Sequence, residues 1–258
     1  MTQTADGIVK TALVTGGARR IGRAIVEDLA ANGWAVAIHC ARSRAEADAL
    51  AGDIVARGGR ATALVGDLGD LDGLGRLVET ARAALGPIGV LVNNAAMFVD
   101  DEPQTLEPAA FELQLRINLV APCLLASAFA AQVGEGERGL VVNVIDQRVW
   151  KPTPRFFSYS LSKSGLWSAT RTLAQAFAPK VRVVGLGPGP TLQGPRQEEA
   201  DFLRQWSAVP LGHGAELAEF GRAVRFLADM PSVTGQMIAL DGGQHLAWKT
   251  PDVDGIPE

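Results

Sequence analysis

The chain has 258 residues, of which 47% are hydrophobic and 20% are charged, and its formal net charge is -4 at pH 7. This acidic balance argues against a nucleic-acid-binding surface, although it leaves room for a local basic pocket. We expect a single domain over residues 1–258, because α/β folds of this length commonly form one domain and no low-complexity linker divides the sequence.

Three other classes of protein are disfavoured. The apolar stretches look shorter than the roughly 18 residues of a membrane span, so no membrane association is expected. The polar segment 1–7 lacks the basic and apolar regions of an export signal, and a cytoplasmic location is the expectation. Cys40, Cys123 and the three histidines show no metal-ligand spacing, so we expect no metal site. Residues 249–258 are interpreted as a polar tail.

Short apolar segments alternate with longer amphipathic ones along the chain. Helical spacing of apolar residues at 21–29 and 71–78 predicts helices between strands. The predicted strands cover residues 11–15, 34–38, 61–65, 90–92, 140–144, 181–184 and 237–240. Strands this apolar are buried on both faces, so the pattern predicts an α/β fold, a doubly wound parallel sheet of about seven strands with helices on both faces.

One segment departs from this alternation. Residues 187–214 are rich in Gly and Pro, and they carry Phe202 and Trp206 four residues apart in a short helical pattern. Long connections in compact domains are often functional, and we interpret this segment as a substrate lid.

A glycine-rich turn, TGGARRIG at residues 15–22, follows the first predicted strand and leads into a helix. Glycines let the backbone turn tightly and approach a pyrophosphate, and the helix N-terminus offers free N–H groups. Such a turn can also be purely structural. Its place in the first β-α-β unit favours a dinucleotide site.

The end of the second predicted strand lacks the acidic residue that binds ribose hydroxyls in NAD sites. Residues 39–43 read HCARS, and Arg42 beside Ser43 suits the 2'-phosphate of NADP. With Arg19 and Arg20 they would form a basic pocket. Alternatively, Arg42 and Ser43 merely open a solvated helix, with Ser43 as its N-cap.

Two further strand ends carry polar residues. Asp67 follows the third strand, where its carboxylate could accept a hydrogen bond from an adenine amino group, and NNAA at 93–96 follows the fourth. Either Asp67 or Asn93 could instead cap a turn.

Tyr159 is the only tyrosine in the chain, and Lys163 follows it by four residues. In a helix this spacing places both side chains on one face. A neighbouring cation favours the phenolate, so we expect Lys163 to lower the pKa of Tyr159. The pair lies after the fifth strand and is interpreted as a proton-transfer pair.

Together these motifs resemble the short-chain dehydrogenase/reductase family. The matching motifs, in order, are TGxxxxxG at 15–22, NNA at 93–95, a helix asparagine at Asn118, YxxxK at 159–163, Pro188-Gly189 and LDGG at 240–243. The resemblance implies a Rossmann-type fold in a homodimer or homotetramer. It also implies Tyr159 as acid/base, Lys163 holding the nicotinamide ribose, and Asn118 supporting a proton-relay water.

The resemblance further implies which residues bind the cofactor, expected to be NADP. These are Gly16, Arg19, Arg20, Ile21, Gly22, Arg42, Ser43, Asp67, Leu68, Asn94, Ala95, Lys163, Pro188 and Gly189.

Three positions depart from the family pattern: Arg20 replaces the middle glycine of the turn, Asp146 the catalytic serine, and Val184 an asparagine. The first two are similar to the pteridine reductases and the related short-chain dihydrofolate/dihydromonapterin reductases. In that subgroup an Arg-Ser pair follows the second strand, and Phe98 matches an aromatic that stacks on the pterin. The resemblance therefore implies that Phe98, Asp146 and Tyr159 bind substrate. Val184 has no interpretation from sequence.

Each assignment has a structural alternative. Phe98 could be an ordinary core aromatic. Asp146 could serve mainly as an ion-pair partner of Arg148 or Arg155. Asn118 could be a polar helix residue with a local role.

The leading hypothesis is an NADPH-dependent reductase of a pterin or folate C=N bond. The alternatives are an NADPH-dependent carbonyl or sugar-alcohol dehydrogenase and a non-catalytic NADP-sensing protein. The expected partners are a small-molecule substrate and copies of the same chain.

Overall fold

The computed structural model describes residues 2–4, 6–194 and 197–248, so the predicted polar tail lies outside the described residues. The strands are β1 (Thr11–Val14), β2 (Ala35–Cys40), β3 (Arg60–Val65), β4 (Val90–Asn93), β5 (Gly139–Val144), β6 (Val181–Pro188) and β7 (Met237–Leu240). The α-helices are α1 (Arg20–Ala31), α2 (Arg44–Ala56), α3 (Leu74–Leu85), α4 (Pro108–Leu115), α5 (Ala121–Gln132), α6 (Phe157–Phe177), α7 (Glu199–Ser207) and α8 (Leu217–Ala228).

The seven strands form one parallel sheet in the order β3-β2-β1-β4-β5-β6-β7. Leu13 of β1 pairs with Ala37 of β2 on one side and with Leu91 of β4 on the other. The strand order reverses at β1, and in such sheets ligands bind beyond the C-terminal ends of the strands at this reversal. The predicted fold class is confirmed.

Burial on both sheet faces explains why the central strands are so apolar. Every residue of β1, β2, β4 and β5 is buried, whereas the edge strand β3 is largely half-exposed. One core cluster joins the sheet to α1, α2 and α8, and a second joins it to α3 and α5 on the opposite face. The helices therefore hold the strand ends rigidly, which fixes the residues that follow them.

Some element boundaries differ from the prediction. The helix expected at 71–78 begins as a short 3-10 turn, Leu71–Gly73, and α3 starts only at Leu74. Glycine weakens a helix at this point because it lacks a side chain that limits backbone freedom. Strand β6 extends to Pro188, so the first two residues of the predicted lid belong to the sheet.

The lid segment contains the short helix α7, which carries Phe202 and Trp206 as the spacing predicts. The Trp206 and His213 rings lie 5.8 Å apart. Closure of this segment over a substrate remains a prediction.

One segment corrects the expectation that every apolar stretch is too short for a membrane. The continuous helical segment Pro108–Gln132 has 25 residues and contains an 18-residue window with a mean hydropathy of 1.5, enough by length and composition to cross a bilayer. Of that window 44% is buried, and Leu125 and Phe129 pack in the core beneath the sheet. A core helix of an α/β domain meets the same test, so the finding is weak evidence for a membrane segment.

Candidate active site

The glycine-rich turn after β1 is packed against the loop after β4. Gly16 has φ +62°, and a Cβ on Gly22 would lie 2.2 Å from the Gly16 carbonyl oxygen. The Asn94 side chain donates to the carbonyls of Thr15 (2.9 Å) and Gly16 (3.2 Å), and Ala95 N–H donates to the Thr15 hydroxyl (3.1 Å). A side chain at Gly22 would collide with the backbone, and Gly16 adopts a left-handed conformation that residues with a side chain adopt rarely.

The N-terminus of α1 suits an anionic group. Its N-cap position, Arg19, makes no side-chain capping hydrogen bond, so the first-turn N–H groups, including that of Ile21, have no side-chain cap. Unsatisfied N–H groups and the helix dipole together favour a phosphate there. The turn therefore fits the pyrophosphate of a dinucleotide.

Arg20 connects the turn to the predicted lid. Its φ is +52°, the left-handed region that glycine adopts readily, which explains why a glycine is usual at this position in the family. Its guanidinium donates to the carbonyl oxygens of Gln193 (3.0 Å) and Leu192 (3.3 Å). The sequence analysis placed Arg20 in the basic pocket, but in the structure its guanidinium binds backbone carbonyl oxygens of the predicted lid.

The remaining basic residues lie at the start of α2. Arg42 is exposed and makes no ion pair with any residue that the structure describes, and Ser43 occupies the N-cap of α2 without a side-chain capping bond. Arg19 pairs with Glu46, and this contact lowers the pKa of the Glu46 carboxyl. The Arg42 guanidinium and the Ser43 hydroxyl are thus available to bind a phosphate. Glu46 places a carboxylate next to the expected basic pocket, which the sequence analysis did not predict.

His39 of β2 forms a hydrogen bond with the glycine-rich turn, and the sequence analysis did not predict this contact either. Its buried imidazole accepts from Gly16 N–H at Nδ1 (3.3 Å), so Nε2 carries the proton donated to the Gly66 carbonyl (3.0 Å). Burial lowers the pKa of His39, which keeps the ring in this neutral form.

Asp67 and Leu68 follow β3 as predicted. Asp67 is exposed and accepts a hydrogen bond from Gly69 N–H (2.8 Å), so it caps a turn, which was the structural alternative. Leu68 is buried in the core cluster beside α3. Adenine recognition by Asp67 stays a prediction.

Tyr159 and Asp146 form the central contact of the site. The phenol hydroxyl donates to Asp146 Oδ2 at 3.0 Å, and Tyr159 is only 8% exposed. Burial, followed by the Asp146 charge, raises the pKa of Tyr159 well above its ordinary value. The expectation that Lys163 lowers this pKa is wrong for the protein alone, because a carboxylate rather than a cation contacts the hydroxyl.

Lys163 is fully buried one helical turn beyond Tyr159. Its Nζ donates to the Val144 carbonyl at 2.7 Å and lies 5.7 Å from the centre of the Tyr159 ring. Burial lowers the pKa of Lys163 to about 8. The two side chains share one face of α6, as the spacing predicted.

Asp146 pairs with Arg148, which was the structural alternative, and it also contacts Tyr159; its role in substrate binding stays a prediction. Besides the Tyr159 hydroxyl, it accepts from Arg148 N–H (2.8 Å) and from Arg148 Nη1 (3.2 Å). Arg155 instead pairs with Asp100. The carboxylate is therefore held by two hydrogen bonds from one arginine while its Oδ2 contacts the phenol.

Asn118 lies in a wide π-type turn, Arg116–Val120, between α4 and α5. Its amide donates to the Met97 carbonyl (2.8 Å) and Ser162 Oγ (3.0 Å), and its oxygen accepts from Met97 N–H (2.7 Å). The buried side chain thus ties the loop after β4 to α6. The proton-relay water stays a prediction, and both amide protons of Asn118 are already in use.

Phe98 lies on this loop and forms one wall of the site. Its ring stacks on Phe156 at 4.4 Å and meets the Tyr159 ring edge-on at 4.6 Å, with the Arg148 guanidinium 5.9 Å from its centre. It is 45% exposed, so it is not a core aromatic. An exposed ring beside the Tyr159 phenol is suited to stack on a flat substrate.

A second network fixes the start of α6. Asp101 accepts from Ser158 N–H at 3.1 Å and from Ser158 Oγ. Gln114 of α4 donates to the same hydroxyl and accepts from Val99 N–H at 3.0 Å. Sequence reasoning missed these residues, because nothing in their spacing marks contacts between distant segments.

Pro188 and Gly189 end β6 against the turn after β7. Gly189 N–H donates to the Leu240 carbonyl (2.9 Å), and a Cβ on Gly189 would lie 2.6 Å from Asp241 Cα. Val184 is fully buried opposite Val142 in the sheet core. Its replacement of a polar residue is thus consistent with tight apolar packing in β6.

The family assignment follows from this arrangement of turn, tyrosine and lysine. The model of the short chain dehydrogenase family matches residues 10–202, and the chain belongs to that family. Among curated proteins, a 3-oxoacyl-[acyl-carrier-protein] reductase of Synechocystis sp. is 30% identical over 91% of this chain and 96% of its own length.

Three solved structures are more similar in sequence. The FolM alternative dihydrofolate reductase 1 of Brucella suis, in complex with NADP, is 53% identical with a TM-score of 0.93, covering 97% of this chain and 100% of its own. The Brucella canis protein of the same name, also complexed with NADP, is 52% identical with the same TM-score and coverage. A blue fluorescent protein from a metagenomic library, in complex with NADPH, is 32% identical over 91% of this chain and 97% of its own, with a TM-score of 0.83. These findings confirm the resemblance to the dihydrofolate-reducing subgroup.

Proposed function

We propose that this protein is an NADPH-dependent reductase of the C=N bond of a dihydropterin or dihydrofolate. The observation that carries the proposal is the hydrogen bond from the Tyr159 hydroxyl to Asp146, in the place where most of the family has a serine. The FolM structures, 53% and 52% identical, support the same substrate class.

The residues of the turn and strand ends fit NADP. Gly16, Gly22 and the N-terminus of α1 would hold the pyrophosphate, and Arg42 with Ser43 would hold the 2'-phosphate by charge-assisted hydrogen bonds. Lys163 would hold the nicotinamide ribose. When bound, the cofactor supplies the hydride that is added to the substrate carbon.

Reduction of C=N also requires a proton at nitrogen, and Tyr159 is suited to give it. Its raised pKa keeps the phenol protonated at neutral pH, so it acts as an acid. Asp146 accepts hydrogen bonds from N–H and amino groups, which a pterin ring presents and a simple ketone does not. Phe98 would stack on the same ring. Hydride at carbon and proton at nitrogen complete the reduction.

The second candidate is reduction of a carbonyl, including sugar-derived ketones. It is favoured by the 30% identity to a 3-oxoacyl-[acyl-carrier-protein] reductase. Against it, charge builds on the carbonyl oxygen during hydride transfer, and an ionised Asp146 repels that charge where a serine would donate a hydrogen bond. A non-catalytic NADP sensor is disfavoured by the intact pair of Tyr159 and Lys163.

The test is a substrate panel read by NADPH absorbance: 7,8-dihydrobiopterin, dihydrofolate, quinonoid dihydropterin and simple ketones. The proposal predicts turnover of dihydropterins or dihydrofolate. Ketone turnover with inert dihydropterins would establish the carbonyl candidate, and no turnover of any substrate would favour the sensor.

The oligomeric state and location form part of the same proposal. Exposed apolar residues on the outer faces of α5 and α6, such as Leu124 and Leu161, both 43% exposed, support a homodimer or homotetramer. Light scattering coupled to size-exclusion chromatography would measure this directly. The two free cysteines are in keeping with the proposed cytoplasmic location.

A further inference from the structure

Helix α6 carries Tyr159 in its first turn, but the residue before the helix does not cap it. Phe156 occupies the N-cap position with φ +56°, in the left-handed region, and makes no side-chain capping hydrogen bond. The first N–H groups of a helix need acceptors from outside the helix, because no carbonyl of the same helix reaches them. The start of α6 therefore depends on another segment.

Asp101 supplies these acceptors from the loop after β4. Its backbone carbonyl accepts from Phe157 N–H (3.1 Å). Its carboxylate accepts from Ser158 N–H (3.1 Å) and from the Ser158 hydroxyl, across a separation of 57 residues. A carboxylate at this place also interacts favourably with the helix dipole. Asp101 thus does for α6 what an N-cap residue normally does from within the same segment.

The side chains that complete this cap are buried. Gln114 is 0% exposed and Ser158 is 1% exposed. Gln114 donates to the Ser158 hydroxyl and accepts from Val99 N–H (3.0 Å). The loop is therefore held at two positions, Val99 and Asp101. Removal of one partner from a buried network leaves the others unsatisfied, which costs more than the same loss at the surface.

The cap joins the two parts of the site that would meet the substrate. The Phe98 ring lies on the same loop, three residues before Asp101. Its centre is 4.4 Å from that of Phe156 and 4.6 Å from that of Tyr159. Tyr159 directly follows the capped Ser158. The position of the Phe98 ring relative to the phenol therefore depends on the bonds that fix the loop to the first turn of α6.

We propose that Asp101 is a positioning residue for the reduction, which fixes the Phe98 ring and the Tyr159 hydroxyl at the separation that a pterin ring requires. The inference rests on the proposed function and adds to it a residue that acts without touching the substrate. The glycine-rich turn and Arg42 lie on other segments, so Asp101 should affect turnover and leave NADPH binding nearly unchanged.

The experiment compares Asp101→Ala and Asp101→Asn with a matched control, Asp28→Ala. Asparagine keeps an oxygen acceptor for the Ser158 N–H, whereas alanine removes it. Asp28 also joins distant segments, because it accepts hydrogen bonds from Arg225 (2.7 and 3.2 Å), but it lies between α1 and α8, outside the candidate active site.

Four quantities are measured on each protein. They are kcat/KM on 7,8-dihydrobiopterin and dihydrofolate, the dissociation constant of NADPH, the temperature of thermal unfolding, and amide hydrogen exchange in the segments 95–102 and 156–162. The exchange measurement reports on the two joined segments without requiring turnover.

Asp101→Ala should lower kcat/KM by about tenfold to a hundredfold, since small displacements of reacting groups are costly. It should also speed amide exchange in both segments, while the dissociation constant of NADPH stays nearly constant. Asp101→Asn should recover most of the loss. Asp28→Ala should lower the unfolding temperature and leave kcat/KM unchanged. If Asp101→Ala does not fold, Ser158→Ala cuts the hydroxyl link, keeps the capped N–H and should show a smaller loss of the same kind.

An unchanged kcat/KM in Asp101→Ala would overturn the proposal, and so would a loss that Asp28→Ala shares, because that loss would follow stability alone. Equal losses in Asp101→Ala and Asp101→Asn would show that the acceptor for Ser158 N–H is not responsible. If the unmodified protein reduces neither substrate, the proposed function fails as a separate result. In that case unchanged amide exchange in Asp101→Ala would still refute the role of Asp101 in fixing the two segments.

Discussion

Replacing Asp146 with serine restores the residue usual in the family and separates the two candidate chemistries. The shorter side chain loses the contacts of Oδ2 with the Tyr159 hydroxyl (3.0 Å) and with Arg148 Nη1 (3.2 Å). The loss in rate is set by the one hydrogen bond that Asp146 would accept from the pterin ring: a hydrogen bond to a charged group is worth about 1.5–3 kcal/mol, and each ~1.4 kcal/mol corresponds to tenfold in rate. We therefore expect kcat/KM on dihydropterins to fall by about tenfold to a hundredfold.

The same variant should keep or gain ketone turnover, because serine can donate to a developing alkoxide where the carboxylate cannot. The assay is NADPH oxidation with 7,8-dihydrobiopterin and with a ketone, side by side. The control is Asp146→Asn, which keeps the shape of the side chain and removes its charge. Asp146 contributes to the raised pKa of Tyr159, so this control should lower that pKa and move the alkaline limit of the acid step to lower pH. Equal losses on both substrates for Asp146→Ser, or no loss on the dihydropterin, would refute the reasoning.

Three other changes test the remaining roles. Arg42→Ala should reduce the preference for NADPH over NADH by about tenfold or more in titrations of binding, since a charge-assisted contact to the 2'-phosphate is removed; an unmodified protein with equal affinity for both cofactors would contradict this. Tyr159→Phe should lower turnover by about two orders of magnitude while the dissociation constant of NADPH stays nearly constant, and normal turnover would show that another group gives the proton. Burial lowers the pKa of Lys163 to about 8, so Lys163 loses its charge above that pH and kcat/KM should fall there. In Lys163→Arg the side chain stays charged, so this fall of kcat/KM at alkaline pH should disappear. A fall that is unchanged in the variant would show that another group causes it.

Much of the fold could be predicted because the signals are local and repeated. Strands such as β1 and β5 are buried on both faces, so their sequences are continuously apolar, and this pattern identifies a parallel sheet. The glycine-rich turn and the pair of Tyr159 and Lys163 could also be read, since each is a short motif whose spacing has a direct geometric meaning.

The electrostatics of the site could not be predicted in the same way. The pKa of Tyr159 is raised first by burial and then by Asp146, which lies thirteen residues away on another element and accepts a hydrogen bond from the Tyr159 hydroxyl. The spacing of residues within one helix does not show which charged side chain the fold places next to the Tyr159 hydroxyl.

Contacts that bridge separate segments were missed for the same reason. The bonds of Arg20 to the carbonyls of Leu192 and Gln193 join positions more than 170 residues apart. The contacts of Asp101 and Gln114 with Ser158 likewise depend on how the loop after β4 meets α6.

The central claim is that Tyr159 and Asp146 serve the reduction of a C=N bond. The most direct measurement is the ratio of kcat/KM for 7,8-dihydrobiopterin or dihydrofolate to that for simple ketones, with NADPH and the unmodified protein. The account predicts a ratio well above one for at least one of the two C=N substrates. Efficient ketone reduction with both of these substrates inert would contradict it.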